Sequence, residues 1–237
     1  MKQTEIILPH YNKNEWLAAS FTIPTNIHAI LIVCHGLTGN KTGPQMFQKS
    51  LAKWLAEEQI LVVRFDFRGS GDSSGIFYQT NFKEMITDTE LVTNYIQKQY
   101  PNKKIFYSGL SIGAIVSTIV AIKKNAPGNI IISSDLAEGT FGTTTQTIRN
   151  GEFYLCKRFW EERSSINIRN MLKESSIKSK LFFGEKDSKV KKAAKDMNSI
   201  LSSKSYKDMD HLFGDYKTRK KLAKDVAEFI KSCLEGL

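Results

Sequence analysis

Short apolar runs alternate with longer stretches of helical period along most of the chain. Residues 29–34, 60–65, 104–107, 129–132 and 180–183 are nearly continuous in apolar, largely β-branched residues. Such runs fit parallel strands covered on both faces. Between them, residues 80–100 put Phe82, Met85, Ile86, Thr89, Val92 and Ile96 on one stripe, with Asn81 as an N-cap and Pro101 and Asn102 as the stop. A second helical pattern covers 114–123, and a last one carries Leu222, Val226, Phe229 and Ile230. This alternation predicts an α/β fold with a mostly parallel sheet, helices on both faces and right-handed crossovers. The first 28 residues read differently, as strands at 4–8 and 16–23 joined by a polar turn at Asn12 to Asn14, forming an antiparallel edge.

One segment interrupts the rhythm. From Gly139 to Ser176 a Thr-rich stretch (Thr143, Thr144, Thr145, Thr147) precedes an aromatic cluster of Phe153, Tyr154, Phe159 and Trp160, with no strand pattern. A connection of this length inside a compact domain predicts a functional insertion, a cap over about 139–176. The whole chain, 1–237, is expected to be a single domain around one sheet, since its length suits one large core.

Charge adds one question. The 34 Lys and Arg against 24 Asp and Glu leave a net +10, which would suit a polyanionic partner. The excess is +3 over residues 1–150 (14 basic, 11 acidic) and +7 over 151–237 (20 basic, 13 acidic). It falls mainly on helical patterns such as 186–195 and 217–224, where lysines solvate outer faces. No nucleic-acid module accompanies it, so no nucleic-acid partner is expected. Cys34, Cys156 and Cys233 are odd in number and widely spaced, which predicts reduced structural thiols rather than disulfides or a metal site. Neither a signal peptide nor a membrane span is recognisable, and the expected localisation is cytoplasmic.

The candidate chemistry is carried by Gly-x-Ser-x-Gly, which occurs twice, at 71–75 and 109–113. Only Gly109-Leu110-Ser111-Ile112-Gly113 lies between a strand and a helix, the context that exposes a nucleophilic serine at the carboxyl edge of a sheet. Ser111 is therefore the candidate nucleophile. Ser73, in Gly71-Asp72-Ser73, also follows His35 and Asp66 in the chain order of trypsin-like proteases, but the helical segments exclude that all-β fold. The stretch 66–73 reads as a structured turn.

A serine hydroxyl needs a base, and the base needs a carboxylate to orient it. Of four histidines, His10 and His28 suit surface or strand-edge roles, and His35 suits shaping the backbone before Gly36. His211, in a loop before the last helix, is the candidate base. Asp187 and Asp135 both follow strands and compete as the orienting acid. Asp187 is favoured because it completes the order Ser, Asp, His, with Asp135 in reserve and Asp210 as a solvated loop residue. The loop His35-Gly36-Leu37-Thr38-Gly39 can offer the Leu37 N–H, and the elbow the Ile112 N–H, as two oxyanion donors.

With these motifs in place, the chain resembles the α/β-hydrolase superfamily, specifically small bacterial serine esterases of the cinnamoyl/feruloyl esterase type with their acylglycerol lipase and peptidase-like relatives. The resemblance rests on 35–41, 64–73, the Ser111 elbow, Gly184 to Asp187 and Asp210-His211, and covers about 28–135 and 177–237. It implies the α/β-hydrolase fold, a Ser111, Asp187, His211 triad, Leu37 and Ile112 as oxyanion donors, and no cofactor or metal. The elbow has Leu110 and Ile112 where those esterases often carry His and Gln, giving a more apolar pocket floor. The expected activity is carboxylic ester hydrolysis through an acyl-enzyme, on a small-molecule acyl ester. The alternatives are a thioesterase or acyltransferase acting on an acidic acyl carrier, a peptidase or amidase, and a non-catalytic binding protein on this scaffold.

Overall fold

The computed structural model of the chain describes residues 1–11, 14–137 and 146–236. An eight-stranded sheet organises it, built from β1 (Lys2–Pro9), β2 (Trp16–Ile23), β3 (Ala29–Cys34), β4 (Ile60–Phe65), β5 (Ile105–Leu110), β6 (Asn129–Ile132), β9 (Ser179–Gly184) and β10 (Ser202–Tyr206). The spatial order is β1-β2-β4-β3-β5-β6-β9-β10. β1 pairs antiparallel with β2, and β2 antiparallel with β4, while the remaining neighbours are parallel. The amino-terminal antiparallel edge is thus present; part of its expected turn, residues 12 and 13, lies outside the described residues.

The apolar runs are central strands for the reason their composition suggests. Every residue of β3, β4, β5 and β6 is buried, because helices cover both faces of the sheet. Helices α1 (Phe47–Glu57) and α7 (Tyr216–Glu235) pack on the face carrying Leu31, Val33, Val62, Phe106 and Phe182. Helices α2 (Phe82–Gln99) and α3 (Ile112–Lys123) pack on the face carrying Ile30, Ile32, Val63, Tyr107 and Ile131. α2 buries Phe82, Met85, Ile86, Thr89, Val92 and Ile96, as its stripe requires, and Asn81 caps it by accepting the Glu84 N–H at 3.0 Å.

The segment between β6 and β9 holds more order than its sequence suggests. β7 (Gln146–Ile148) and β8 (Phe153–Leu155) form a separate antiparallel hairpin, followed by α4 (Lys157–Ser164) and α5 (Ile168–Glu174). Strands of three residues are too short to show a two-residue period, which is why the hairpin was not legible. Its aromatics anchor it to the body: Phe153 meets Phe77 edge-on at 5.3 Å between centroids, and Phe159 meets Phe82 at 5.9 Å. Thr143, Thr144 and Thr145 lie outside the described residues. After β9 come α6 (Ser188–Asp196) and then β10, whose ladder with β9 starts at Ser202 opposite Lys180.

This topology locates the site. The chain leaves β3 for β4 on one side and reaches β5 on the other, so the connections after β3 and β5 diverge and open a crevice at the carboxyl ends of those strands, where open α/β sheets bind ligands.

Candidate active site

Ser111 stands at that crevice, between the last residue of β5 and the first of α3, with φ 56° and ψ −120°. A non-glycine residue in this region costs roughly 1–3 kcal/mol. The turn is held regardless, because the Ser111 N–H donates to Ile132 O at 2.9 Å. The flanking glycines have steric reasons to be there. A Cβ on Gly109 would lie 2.2 Å from Gly113 C, and one on Gly113 would lie 2.2 Å from His35 O and 2.6 Å from Cys34 O. Helix α3 can start this close to the end of β3 only with no side chain between them.

The acid and the histidine come from the carboxyl ends of β9 and β10. Asp187 caps α6: its Oδ1 accepts the Val190 N–H at 3.2 Å, and its Oδ2 lies 2.5 Å from His211 Nδ1. The Asp187 side chain is 10% exposed and that of His211 43%, so the pair has a buried orienting end and an accessible ring. Asp135 is not part of it, since its Oδ1 accepts the Ala137 N–H at 3.1 Å within its own loop. Asp210 likewise serves its loop, accepting the Leu212 N–H at 3.0 Å. Phe213, buried between Phe47 and Tyr206, pins the loop behind His211.

His35 has a defined protonation state. Its Nε2 accepts the Phe67 N–H at 3.1 Å, so the proton sits on Nδ1, which donates to Gly36 O at 2.8 Å. Burial pushes its pKa down, and the ring acts as a neutral brace for the following loop. In that loop Thr38 takes a left-handed φ of 61°. Among the described residues, no hydrogen bond takes up the Leu37 or Ile112 N–H.

The second Gly-x-Ser-x-Gly is a scaffold. Ser73 Oγ donates to Asp66 O at 2.6 Å and accepts the Ala18 N–H at 2.9 Å. Asp66 is fully buried and accepts from the Lys41 N–H (2.5 Å), Lys41 Nζ (2.7 Å) and the Asp72 N–H (3.0 Å). Burial alone would lower the Lys41 ammonium pKa, but its hydrogen bonds to Asp66 and Asp72 more than offset this and raise it.

Ser111, His211, Leu37 and Leu110 line one cavity of about 410 Å³, closed on the far side by Arg149, Glu152 and Phe153 from the β7–β8 hairpin. Phe153 belongs to the aromatic cluster expected in the cap, whereas Arg149 and Glu152 were missed by sequence reasoning, because nothing in the chain pattern links a hairpin turn to a loop more than 100 residues earlier. Arg149 makes that link directly, its Nε donating to Thr38 Oγ1 at 3.1 Å. The described residues contain no helix long and apolar enough to cross a membrane.

Several known proteins resemble this chain in sequence or in fold. A lysophosphatidylserine lipase, ABHD12 of Danio rerio, is 31% identical over 104 residues, 44% of this chain but only a quarter of the lipase's length. Among solved structures, Est1E from Butyrivibrio proteoclasticus with bound ferulic acid superimposes with a TM-score of 0.82 at 15% identity, covering 97% of this chain and 99% of that one. A thermostable carboxyl esterase from Bacillus coagulans, in complex with glycerol, gives 0.74 at 15% identity, covering 98% and 99%. These two likenesses establish the α/β-hydrolase fold. The family model described as serine aminopeptidase, S33, matches residues 25–233. The chain belongs to that family of α/β-hydrolases.

Proposed function

We propose that this protein hydrolyses carboxylic esters through an acyl-enzyme formed on Ser111. The observation that carries the reading is the Asp187–His211 pair at 2.5 Å, opening onto the same cavity as the strained Ser111 elbow. With Nδ1–H donated to Asp187, the free Nε2 of His211 is a base. It accepts the Ser111 Oγ proton as Oγ attacks the ester carbonyl carbon. The oxyanion is held by the Leu37 and Ile112 N–H groups, the second reinforced by the amino-terminal dipole of α3. Collapse breaks the C–O bond to the alcohol, which leaves with the proton from His211. A water, deprotonated by His211, then attacks the acyl carbon, and the acid departs as Ser111 regains its proton.

A small ester is supported by the cavity's volume, by the apolar Leu110 beneath it and by the ferulic acid bound to Est1E. The β7–β8 hairpin and the helices after it act as the cap. The test is fluorophosphonate labelling with p-nitrophenyl butyrate turnover. Wild type labels and turns over, and Ser111→Ala does neither; labelling of the mutant at another serine, or none in wild type, overturns the reading.

A peptidase reading is favoured by the family's description and by Glu152, whose carboxylate on the cavity wall could meet a substrate ammonium. Aminoacyl p-nitroanilides cleaved faster than the ester would establish it. An acyl thioester cleaved while p-nitrophenyl esters stay inert would instead make the chain a thioesterase.

A further inference from the structure

We infer that the cavity selects esters carrying a second, anionic group, and that Arg149 is the residue that binds it. This inference rests on the hydrolase reading of Ser111 and adds the substrate class. Among the described residues lining the cavity, Arg149 is the one Lys or Arg side chain. The other described arginines serve the scaffold. Arg64 binds Ser20 and Lys41 O, Arg68 pairs with Asp88, Arg158 pairs with Glu162, Arg163 holds the carbonyls of Ala137 and Ile166, Arg219 holds Gln45, and Arg169 holds the carbonyls of Asp135 and Leu136. Arg149 differs in where its guanidinium points and in what holds it. Its Nε is fixed by Thr38 Oγ1 at 3.1 Å, and Thr38 is in turn fixed by donating to Leu37 O at 2.6 Å.

Among the described residues no carboxylate lies within ion-pair distance of Arg149, although Glu152 shares the cavity wall. A guanidinium tethered by Nε presents its two Nη groups as a fork, the geometry that accepts both oxygens of a carboxylate. The tether also ties the fork to the loop carrying Leu37, so an anion bound there is positioned relative to Ser111. At net +10, the chain as a whole favours the approach of a negatively charged substrate. Glu152 works against binding and makes the sign of the proposal testable from both sides.

The experiment compares kcat/KM for matched ester pairs. 4-Nitrophenyl hemiadipate against 4-nitrophenyl hexanoate places the charge on the acyl side. 4-(Butanoyloxy)benzoate against its methyl ester places it on the leaving side. For whichever pair places its charge near the fork, Arg149→Gln lowers the anionic-to-neutral ratio by about tenfold, the loss of one charge-assisted hydrogen-bonded pair. Arg149→Lys recovers part of it, and Glu152→Gln raises the ratio above wild type. An equal fall on both members of each pair, or unchanged ratios in Arg149→Gln and Glu152→Gln, overturns the inference while leaving the hydrolase reading intact. Wild type that cleaves none of the four esters defeats the hydrolase reading itself.

Discussion

Asp187 divides its two carboxylate oxygens between α6 and His211: Oδ1 takes the Val190 N–H, and Oδ2 takes the imidazole N–H. The orientation of the histidine is thereby referred to a helix terminus rather than to a flexible side chain. Asp187→Asn presents an amide that can donate to Nδ1 and so drive the ring to the tautomer with its proton on Nε2, which cannot act as base. Its kcat on p-nitrophenyl butyrate falls about 10³- to 10⁴-fold, whereas Asp135→Asn stays within a few-fold of wild type. The reverse ranking would move the acid to the loop after β6.

The elbow makes a steric prediction. Gly113→Ala forces a methyl group into the carbonyls of Cys34 and His35. Either α3 or the end of β3 must shift, and the variant loses soluble expression or melts far below wild type. Gly214→Ala, where the new Cβ would meet nothing closer than 3.8 Å, keeps its melting temperature. Equal melting curves for the two would refute the close approach.

The Lys41 bridge yields a stability prediction. Removing its ammonium leaves the buried Asp66 carboxylate with backbone N–H donors and without its ion-pair partner. Lys41→Met therefore destabilises by about 3 kcal/mol, a drop of roughly 6–12 °C in Tm for a chain of this size. Asp72 is exposed, and Asp72→Asn scarcely moves the Tm. Calorimetry of the two variants separates the contributions.

His35 sets a pH dependence. Its folded-state pKa lies below its unfolded value because burial disfavours the imidazolium, and because protonating Nε2 would break the bond from the Phe67 N–H. Below the unfolded value of about 6.5, the unfolded chain binds a proton there that the folded chain does not. Stability contributed by neutral His35 is therefore complete above that pH and declines as pH falls toward the lower folded pKa, by at most about 1.4 kcal/mol per pH unit. Denaturant titrations between pH 7.5 and 5 show this slope in wild type and a shallower one in His35→Gln, which has no group to titrate. Parallel slopes would contradict the neutral brace.

What the chain pattern revealed follows from burial. The runs at 29–34, 60–65 and 129–132 coincide with β3, β4 and β6 because strands covered on both faces carry their signal in every residue. The elbow was legible because a Gly-x-Ser-x-Gly set between an apolar strand run and a helical run is a pattern held within one short segment. Other features depend on distant partners and leave no local trace. Choosing between Asp187 and Asp135 required knowing which strand end meets the His211 loop. Helix α1, between β3 and β4, carries a mixed stripe of Phe47, Gln48, Leu51, Ala52, Leu55 and Ala56 that no expectation singled out. The hairpin at 146–155 combines strands too short for periodicity with residues whose importance lies in facing Ser111 across a gap.

The way the cavity is assembled divides the molecule into two independently adjustable parts. Ser111, Asp187, His211 and the Leu37 loop hang from the ends of sheet strands, and their spacing is set by backbone ladders and by contacts that exclude side chains. The opposing wall belongs to an excursion from the sheet that packs on the body through Phe77 and Phe82 and is tied to the Leu37 loop by Arg149. Exchanging residues 146–155 for another short hairpin would redraw the shape and charge seen by an incoming molecule while the proposed reacting groups keep their registration. Substrate range in such a protein is free to drift without the chemistry being rebuilt, and the hairpin is the place to redesign it.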